Sequence, residues 1–380
     1  MDIDYSSIKS LPELISFLHE KEVPNNQLWY YVGRFQENKA REKGIPFSGL
    51  FELTPVCNLD CKMCYVHLDH EQMSGKELLT ISEWKDIMAQ AHSMGMMYAE
   101  LTGGECLTYP GFDELYLFLR SLGVRTGIKT NGVILNKKLE LFDRYHPSSV
   151  TVSLYGSSNE GYKNVTGHAV FDAVYDTLLK LKRVEYPVTI AITPSRYMLG
   201  DIENIIRLAE QLDFPFLLNI LLFPPREETG RELCNITDSE YINIVKLQMQ
   251  KDPKISFHPL EDSMLPECGQ TGQCQYGLRC SAGRSAFAID WKGDLTGCEN
   301  LDSLRVSLRD QSFSSAWKQI HSDAVSFPLP MECSDCVYDK VCFSCAAYRS
   351  IGVSKGHCNP QICERTRLLV KEGLKTLASS

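Results

Sequence analysis

Short apolar runs alternate with longer amphipathic segments between about residues 50 and 223. Each segment between two runs is long enough for a helix, and strands that alternate with helices wind into a parallel sheet. A closed eight-unit barrel takes ~250 residues, which is more than this stretch supplies. We therefore predict an α/β fold, a partial (β/α)6 TIM-like barrel. Its predicted strands are 50–55, 98–102, 125–130, 149–155, 187–193 and 215–223.

Two further segments flank the predicted barrel. Residues 1–48 favour an amphipathic helical cap, because apolar residues recur at helical spacing from Leu11 to Leu18. The C-terminal part carries ten of the fifteen cysteines among Gly, Asp and Ser, with little helical periodicity until a last helix. We predict a cap over 1–48, the barrel over 49–255 and a separate metal-binding module over 256–380.

The overall composition narrows the possible partners. The chain is 43% hydrophobic and 23% charged, with a net charge of −9 and interspersed acidic and basic residues, so nucleic acid is an unfavourable partner. No apolar run approaches the roughly 18 residues of a bilayer span, and the polar start differs from a signal peptide. We expect a cytoplasmic protein without membrane contact, whose cysteines bind metal or do chemistry.

The strongest chemical signal is a group of three cysteines directly after the first predicted strand. Cys57, Cys61 and Cys64 have the spacing C-x3-C-x2-C, so one loop at the carboxyl end of the sheet carries three thiolates. Active sites of such barrels gather at this end. Three thiolates leave one iron of a four-iron cluster open to a ligand. The alternative is a zinc site with His67 or His70 as the fourth ligand.

This spacing at this position resembles the signature of the radical S-adenosylmethionine (SAM) superfamily. The resemblance implies that a [4Fe–4S] cluster on the three cysteines cleaves SAM and releases a 5′-deoxyadenosyl radical, which takes a hydrogen atom from the substrate. Members usually have an aromatic residue before the third cysteine, where this chain has Met63, with Tyr65 just after the cysteine.

Further motifs of the superfamily follow at the ends of the next strands. The glycines of Gly103-Gly104-Glu105 would let the backbone approach SAM, while the carboxylate would face its ammonium group. Ser153, at the end of the fourth strand, resembles a serine that hydrogen-bonds the SAM ribose. Taken alone, each motif could be an ordinary turn. The candidate cofactor-binding residues are Met63, Tyr65, Gly103, Gly104, Glu105, Thr130, Asn131 and Ser153.

The C-terminal cysteines form a second pattern. They include two groups with short spacings, within 274–280 and 333–345, and two final cysteines at 358 and 363. Eight thiolates suit two four-cysteine sites, and the residues alone leave zinc and iron–sulfur equally open. Behind a radical SAM core, however, their order resembles the SPASM module, which carries two auxiliary [4Fe–4S] clusters, for three clusters in all. The resemblance implies Cys274, Cys280, Cys298 and Cys345 for cluster I, and Cys333, Cys336, Cys342 and Cys363 for cluster II.

Four cysteines are left over from these two sets. Cys358 competes with Cys363 for the last position of cluster II, and Cys268 could be a spare or alternative ligand. Cys106 and Cys234 are interpreted as small buried apolar residues. The choice between Cys358 and Cys363 therefore stays open.

The resemblance also suggests a reaction. Two full four-cysteine sites expose no iron to substrate, so their simplest task is electron transfer, which favours a net two-electron oxidation. Glu299 directly follows Cys298, where sulfatase-maturing relatives place an acidic base. We expect Glu299 to be catalytic and to take a substrate proton, although a solvated glutamate on a turn is the alternative.

Most SPASM enzymes act on peptides, so the resemblance implies a peptide or protein substrate, oxidised as in the maturation of ribosomally made peptides. It also implies flavodoxin or ferredoxin as the electron donor. The short N-terminal segment leaves room for a separate peptide-recognition protein. Three alternatives stay open: formylglycine formation of the sulfatase-maturase type, redox-neutral radical chemistry on a small molecule, and a non-catalytic iron–sulfur or zinc protein.

Overall fold

The computed structural model describes most of the chain. The described residues are 3, 5, 7–226, 229–231, 234–251, 278, 280–328, 330–333, 336–338, 341–342, 345–354 and 356–375. The strands are β1 Ser48–Glu52, β2 Tyr98–Thr102, β3 Arg125–Thr130, β4 Ser149–Ser153, β5 Val188–Ile192, β6 Phe216–Leu218, β7 Ala286–Ile289, β8 Asp294–Thr296 and β9 Arg305–Ser307.

Twelve α-helices are found among the described residues. They are α1 Leu11–Glu20, α2 Asn25–Lys43, α3 Ile81–Ser93, α4 Phe112–Ser121, α5 Leu139–Arg144, α6 Asn159–Thr166, α7 Phe171–Leu181, α8 Ile202–Gln211, α9 Asp238–Lys251, α10 Phe313–Val325, α11 Ala346–Arg349 and α12 Pro360–Lys371. Within the part of the chain that the structure describes, none of these helices is long and apolar enough to cross a membrane.

The first six strands form the predicted parallel sheet, which is thereby confirmed. They lie in the order β6-β5-β4-β3-β2-β1, and each pairs in parallel with its neighbour. The strands β2 and β3 have the predicted bounds, whereas β6 ends at Leu218 and is shorter than its apolar run. Sequential parallel strands bring all their carboxyl ends to one edge of the sheet.

Helices cover the outer face of this sheet, and the local sequence of α3 explains its start and its buried side. In α3, Thr80 and Glu83 form a capping box at the N-terminus, and the helix buries Trp84 and Met88 against the strands. Trp84 packs edge-on against the Phe51 ring of β1. The outward-facing strand residues and the helices therefore share one core, while the opposite strand face is left for polar residues.

The C-terminal strands extend the same sheet. β7 pairs in parallel with the free edge of β1, and β8 and β9 follow as antiparallel strands. The predicted boundary at 255/256 lies outside the described residues. The expectation of little helical periodicity before the last helix is wrong, because α10 is amphipathic and buries Phe313, Trp317 and Ile320 along one face.

The inner face of the barrel carries charged side chains. Glu52, Glu100 and Lys129 lie on the same face of β1, β2 and β3, with Glu100 one pair of residues before the level of Glu52, and Lys129 Nζ lies 2.9 Å from Glu100 Oε2. Burial lowers the pKa of Lys129, but the carboxylates of Glu100 and Glu299 outweigh that effect and raise it. Lys129 is therefore an ammonium group inside the barrel.

Candidate active site

A cavity of about 780 Å³ opens at the carboxyl ends of the barrel strands. Its volume is in the range of cofactor and substrate sites. It brings together most of the residues singled out in the sequence. Those that line it are Cys57, Cys61, Met63, Cys64, Tyr65, Gly103, Gly104, Thr130, Asn131, Ser153 and Glu299.

The cysteine loop, residues 57–64, is held by backbone hydrogen bonds to a distant helix. Asp60 N donates to Thr166 O and Lys62 N donates to Val165 O, both at 3.0 Å. Val165 and Thr166 end α6, so the fold fixes the loop through residues about a hundred positions away. The loop geometry thus belongs to the barrel as well as to its own sequence.

The three thiols of the loop lie together in a buried setting. Burial raises the pKa of Cys57 to about 12 and also raises the pKa of Cys61 and Cys64, and the charges of the neighbouring thiols add to the effect on Cys57 and Cys61. Thiols in this position ionise only when a positive charge compensates them. A three-thiol donor set in a roomy cavity fits a cluster with one open iron.

The zinc alternative is disfavoured by the surroundings of its proposed fourth ligands. His67 Nδ1 lies 3.1 Å from Arg231 Nη2, and the same guanidinium contacts Asp60. Burial and Arg231 lower the pKa of His67. The side chain of His70 is exposed. The Nδ1 edge of His67 therefore faces Arg231 and Asp60.

The glycines at the end of β2 permit a close approach to the segment before the cysteine loop. Gly104 N donates to Thr54 O at 2.7 Å. A Cβ atom at Gly104 would lie 2.5 Å from Pro55 O and 2.6 Å from Val56 O, which real Cβ atoms do not tolerate. Glycine is required here so that the two strand ends can share one cavity wall.

The carboxylate of Glu105 accepts structural hydrogen bonds that the sequence did not indicate. Its carboxylate is buried and accepts hydrogen bonds from Thr130 Oγ1 (2.9 Å), Asn131 N (2.8 Å) and Leu107 N (3.1 Å). The cavity is lined by the two preceding glycines but not by Glu105 itself. Its contact with the SAM ammonium group stays a prediction, and the observed bonds tie the end of β2 to the end of β3.

Asn131 connects the end of β3 to the cysteine loop. Its Nδ2 donates to Asn58 Oδ1 at 2.8 Å and lies 3.6 Å from Cys57 Sγ. Tyr155 also lines the cavity, and the edge of its ring packs against the ring of Tyr162. Burial together with the Cys61 charge raises the pKa of Tyr155. The site is thus lined by residues from consecutive strand ends.

A buried ion pair beside this site was not predicted from the sequence. The Arg226 guanidinium donates to both carboxylate oxygens of Glu52, at 2.7 and 2.9 Å, and Arg226 N donates to Tyr65 O at 3.0 Å. Burial raises the pKa of Glu52 to about 7 against the opposing effect of Arg226. The two residues are 174 positions apart in sequence, so no local pattern could have indicated the pair.

Glu299 lines two cavities that share residues of their walls. A second cavity of about 480 Å³ shares Tyr65, Phe223, Glu299 and Asn300 with the first. Burial and then the Glu299 charge raise the pKa of Tyr65. Glu299 is half-buried beside the cysteine loop, and its role as a base stays a prediction.

The C-terminal cysteines gather into two groups. Cys280 and Cys345 are near enough to Cys298 for their charges to raise its pKa, and the charge of Cys280 also raises the pKa of Cys345, in both cases after burial as the larger cause. The second group brings Cys358 beside the expected ligands, since Cys333 and Cys363 affect its pKa. Described members of the second group are Cys333, Cys342, Cys358 and Cys363, and Cys336 N lies 3.5 Å from Cys333 O.

Some predicted sites cannot be placed. Cys274 and Cys268 lie outside the described residues. Cys106 and Cys234 are both buried, in line with their interpretation as interior residues. The second group still contains both Cys358 and Cys363, so the choice between them is unchanged.

The sequence profile of the Radical SAM superfamily matches residues 51–225, which hold the cysteine loop and the barrel strands. The chain contains a radical SAM domain. The superfamily predicted from the motifs is thereby confirmed. This domain implies SAM and a [4Fe–4S] cluster as cofactors, and the three-thiol loop is the part of this enzyme that fits such a cluster.

Two curated relatives of this radical SAM enzyme have different functions. The AdoMet-dependent heme synthase of Methanosarcina barkeri is 26% identical over 322 residues, covering 78% of this chain and 90% of its own. The sporulation killing factor maturation protein SkfB of Bacillus subtilis is 27% identical over 205 residues, covering 53% of this chain and 48% of its own.

Solved structures of radical SAM proteins share the fold. Streptococcus suis SuiB bound to S-adenosylmethionine has a TM-score of 0.63 at 15% identity and covers 92% of this chain and 86% of its own. Native anSMEcpe with bound AdoMet has a TM-score of 0.63 at 17% identity and covers 87% of this chain and 98% of its own. At these identities the likeness shows the fold alone, and it confirms the predicted partial barrel.

Proposed function

We propose that this radical SAM enzyme oxidises a residue of a peptide or protein substrate, as a SPASM-type maturase. The observation that carries the proposal is that two cavities share Glu299 as a lining residue. One cavity holds the cysteine loop, and the other is lined by residues adjacent to C-terminal cysteines, including Ala346 after Cys345 and His357 before Cys358. A substrate residue at this junction would be within reach of both regions.

Different residues of the chain have different roles in the proposed reaction. The cluster and SAM, when bound, supply a 5′-deoxyadenosyl radical. Gly103, Gly104 and Ser153 line the wall where SAM binds, and a bound substrate would close the cavity and keep water away from the reacting atoms. Glu299 takes a proton from the substrate residue as that residue is oxidised.

The second cavity suits the polypeptide on either side of the reacting residue. Its lining includes Pro224, Pro225, Gly352 and Gly356, and it shares Tyr65, Phe223, Glu299 and Asn300 with the first cavity. The relatives support a peptide: SkfB is a maturation protein, and SuiB and anSMEcpe have been crystallised with peptides.

Electron transfer completes the proposal. The two C-terminal cysteine groups are proposed to hold auxiliary clusters I and II, which accept the electron released by the oxidised substrate. The donor that reduces the first cluster is proposed to be flavodoxin or ferredoxin, and a separate recognition protein could deliver the peptide.

The test uses Glu299→Gln with Asp302→Asn as a matched control, because Asp302 is an exposed acid on the rim of the second cavity. Randomised synthetic peptides are incubated with the reduced enzyme and SAM, and mass spectrometry measures loss of two hydrogens. We expect Glu299→Gln to keep SAM cleavage and lose product by about 10²-fold or more. Full product formation by this variant would rule out the base.

The heme synthase relative favours a second candidate, radical chemistry on a small molecule, because it matches more of the chain than SkfB does. The same assay separates the two. Peptides that lose two hydrogens for each 5′-deoxyadenosine formed support the maturase. SAM turnover that depends on an added small molecule and leaves every peptide unchanged supports the alternative.

A further inference from the structure

Arg349 is a buried cation in the cysteine-rich part of the molecule. The residue is 4% exposed and ends the short helix α11, which begins directly after Cys345. Its Nη1 lies 3.6 Å from Cys333 Sγ. A guanidinium group in the interior is costly unless negative charge lies close to it.

The backbone of Arg349 fixes this side chain between the two cysteine groups. Arg349 N donates to Cys345 O at 3.0 Å, and Arg349 O accepts from Asn359 N at 2.8 Å. Cys345 belongs to the first group, whereas Cys333 belongs to the second. One residue therefore contacts both groups, through its backbone on one side and its guanidinium on the other.

The charge of Arg349 also reaches thiols of both groups. It lowers the pKa of Cys342 and Cys345, against the larger raising effect of burial. Arg365 is another buried arginine of this region, but its charge is directed elsewhere, since Nε pairs with Asp238 Oδ1 at 2.8 Å. A cluster held by thiolates is anionic, and hydrogen bonds to its sulfurs together with nearby charge set its reduction potential.

We propose that Arg349 is a positioning residue that raises the reduction potential of the auxiliary cluster bound through Cys333. The inference rests on the proposed function, because it requires that the C-terminal cysteines hold clusters. A positive charge beside the ligand sulfur stabilises the reduced cluster, which carries one more electron than the oxidised cluster. Arg349 thus makes this cluster the better electron acceptor.

The experiment is a redox titration of the anaerobically reconstituted full chain, followed by electron paramagnetic resonance. Arg349→Gln removes the charge, Arg349→Lys retains it, and Arg367→Gln removes an exposed charge from α12 as the matched control. We expect a more negative potential for one auxiliary cluster in Arg349→Gln, a smaller shift in Arg349→Lys and none in the control. Unchanged potentials in a fully loaded Arg349→Gln would overturn the proposal.

Iron content of the same samples separates the possible failures. Wild-type protein with about four irons would refute the auxiliary clusters themselves, whereas about twelve irons with unchanged potentials would refute only the role of Arg349. If Arg349→Gln loses iron, the iron content of Arg349→Lys is decisive. Iron retained in Arg349→Lys supports a role of the positive charge at the cluster, and equal iron loss in both variants contradicts that role.

Discussion

The cysteine loop and the C-terminal cysteine groups are anchored in different ways. The loop bonds to parts of the chain far away in sequence: Lys62 N donates to Val165 O, and Cys234 Sγ donates to Lys62 O from 172 positions away. Its shape is thus supported by the barrel itself. We therefore expect the loop to keep most of its structure when no cluster is bound.

The second cysteine group is held by nearer partners among the described residues. Cys342 N donates to Tyr338 O at 2.7 Å, and Thr366 Oγ1 donates toward Cys342 Sγ from only 24 positions away. Its buried apolar members are few, namely Tyr348, Cys358 and Ile362. A small core with many thiols is typical of regions whose metal contributes folding energy.

The largest expected effect separates these two regions by their dependence on metal. Cys363→Ala should lose about four irons and unfold at a clearly lower temperature. The Cys57/Cys61/Cys64→Ala variant should also lose about four, with little change in unfolding temperature. Iron analysis and calorimetry under anaerobic conditions measure both.

The matched control for this prediction is Cys358→Ala, which should keep the full iron content. Loss of iron in Cys358→Ala but not in Cys363→Ala would show that Cys358, and not Cys363, is the last ligand of cluster II. Equal falls in unfolding temperature after disruption of either region would contradict the difference in anchoring.

A smaller effect tests the rigidity of the barrel region. Arg226→Met removes the partner of Glu52, which is 2% exposed, and breaking a buried pair costs about 3–5 kcal/mol. The folded pKa of Glu52 is already raised to about 7 by burial, so the folded state holds this proton more tightly than the unfolded chain. Stability of the variant should therefore fall as the pH rises from about 5 to about 8.

Urea unfolding of Arg226→Met at both pH values measures this effect. The exposed pair of Arg144 and Glu140 offers a control, since Arg144→Met should change stability little. The double variant Glu52→Gln/Arg226→Met should recover part of the loss. Wild-type stability of Arg226→Met at the higher pH would show that the barrel does not depend on the pair.

The smallest expected effect concerns the wall of the SAM site. A Cβ atom at Gly104 would lie 2.5 Å from Pro55 O, so Gly104→Ala must displace the end of β2 or the segment before the cysteine loop. We expect SAM affinity to fall about tenfold, which is about 1.4 kcal/mol, as measured by equilibrium dialysis. Gly200→Ala, with nothing within 4 Å of its Cβ atom, should bind SAM normally; equal affinities in both variants would contradict the close approach.

Local patterns in the sequence predicted the barrel and the cavity wall well. Each parallel strand is a short apolar run, and the motifs at Cys57, Gly103 and Ser153 fall at or just after the ends of strands whose carboxyl ends meet at one edge. The chemistry of this edge follows from the order of the residues along the chain. Such features need no knowledge of distant contacts.

Features that depend on distant contacts could not be predicted in this way. Nothing near Glu52 indicates Arg226, and the pairing of β7 with β1 joins residues far apart in the chain. The helix α10 was overlooked because its apolar face, from Phe313 to Ile320, lies in a stretch dominated by polar and cysteine-rich signals. The place of Arg349 between two cysteine groups likewise required the fold.

The central claim is that the cysteine loop of this radical SAM enzyme cleaves SAM and that the C-terminal cysteines hold two further clusters. Its most direct test is the iron and sulfide content and the 5′-deoxyadenosine yield of reconstituted wild-type protein and of Cys57/Cys61/Cys64→Ala. We predict about twelve irons falling to about eight, with complete loss of 5′-deoxyadenosine. Zinc in place of iron, or SAM cleavage that survives in the variant, would contradict the account.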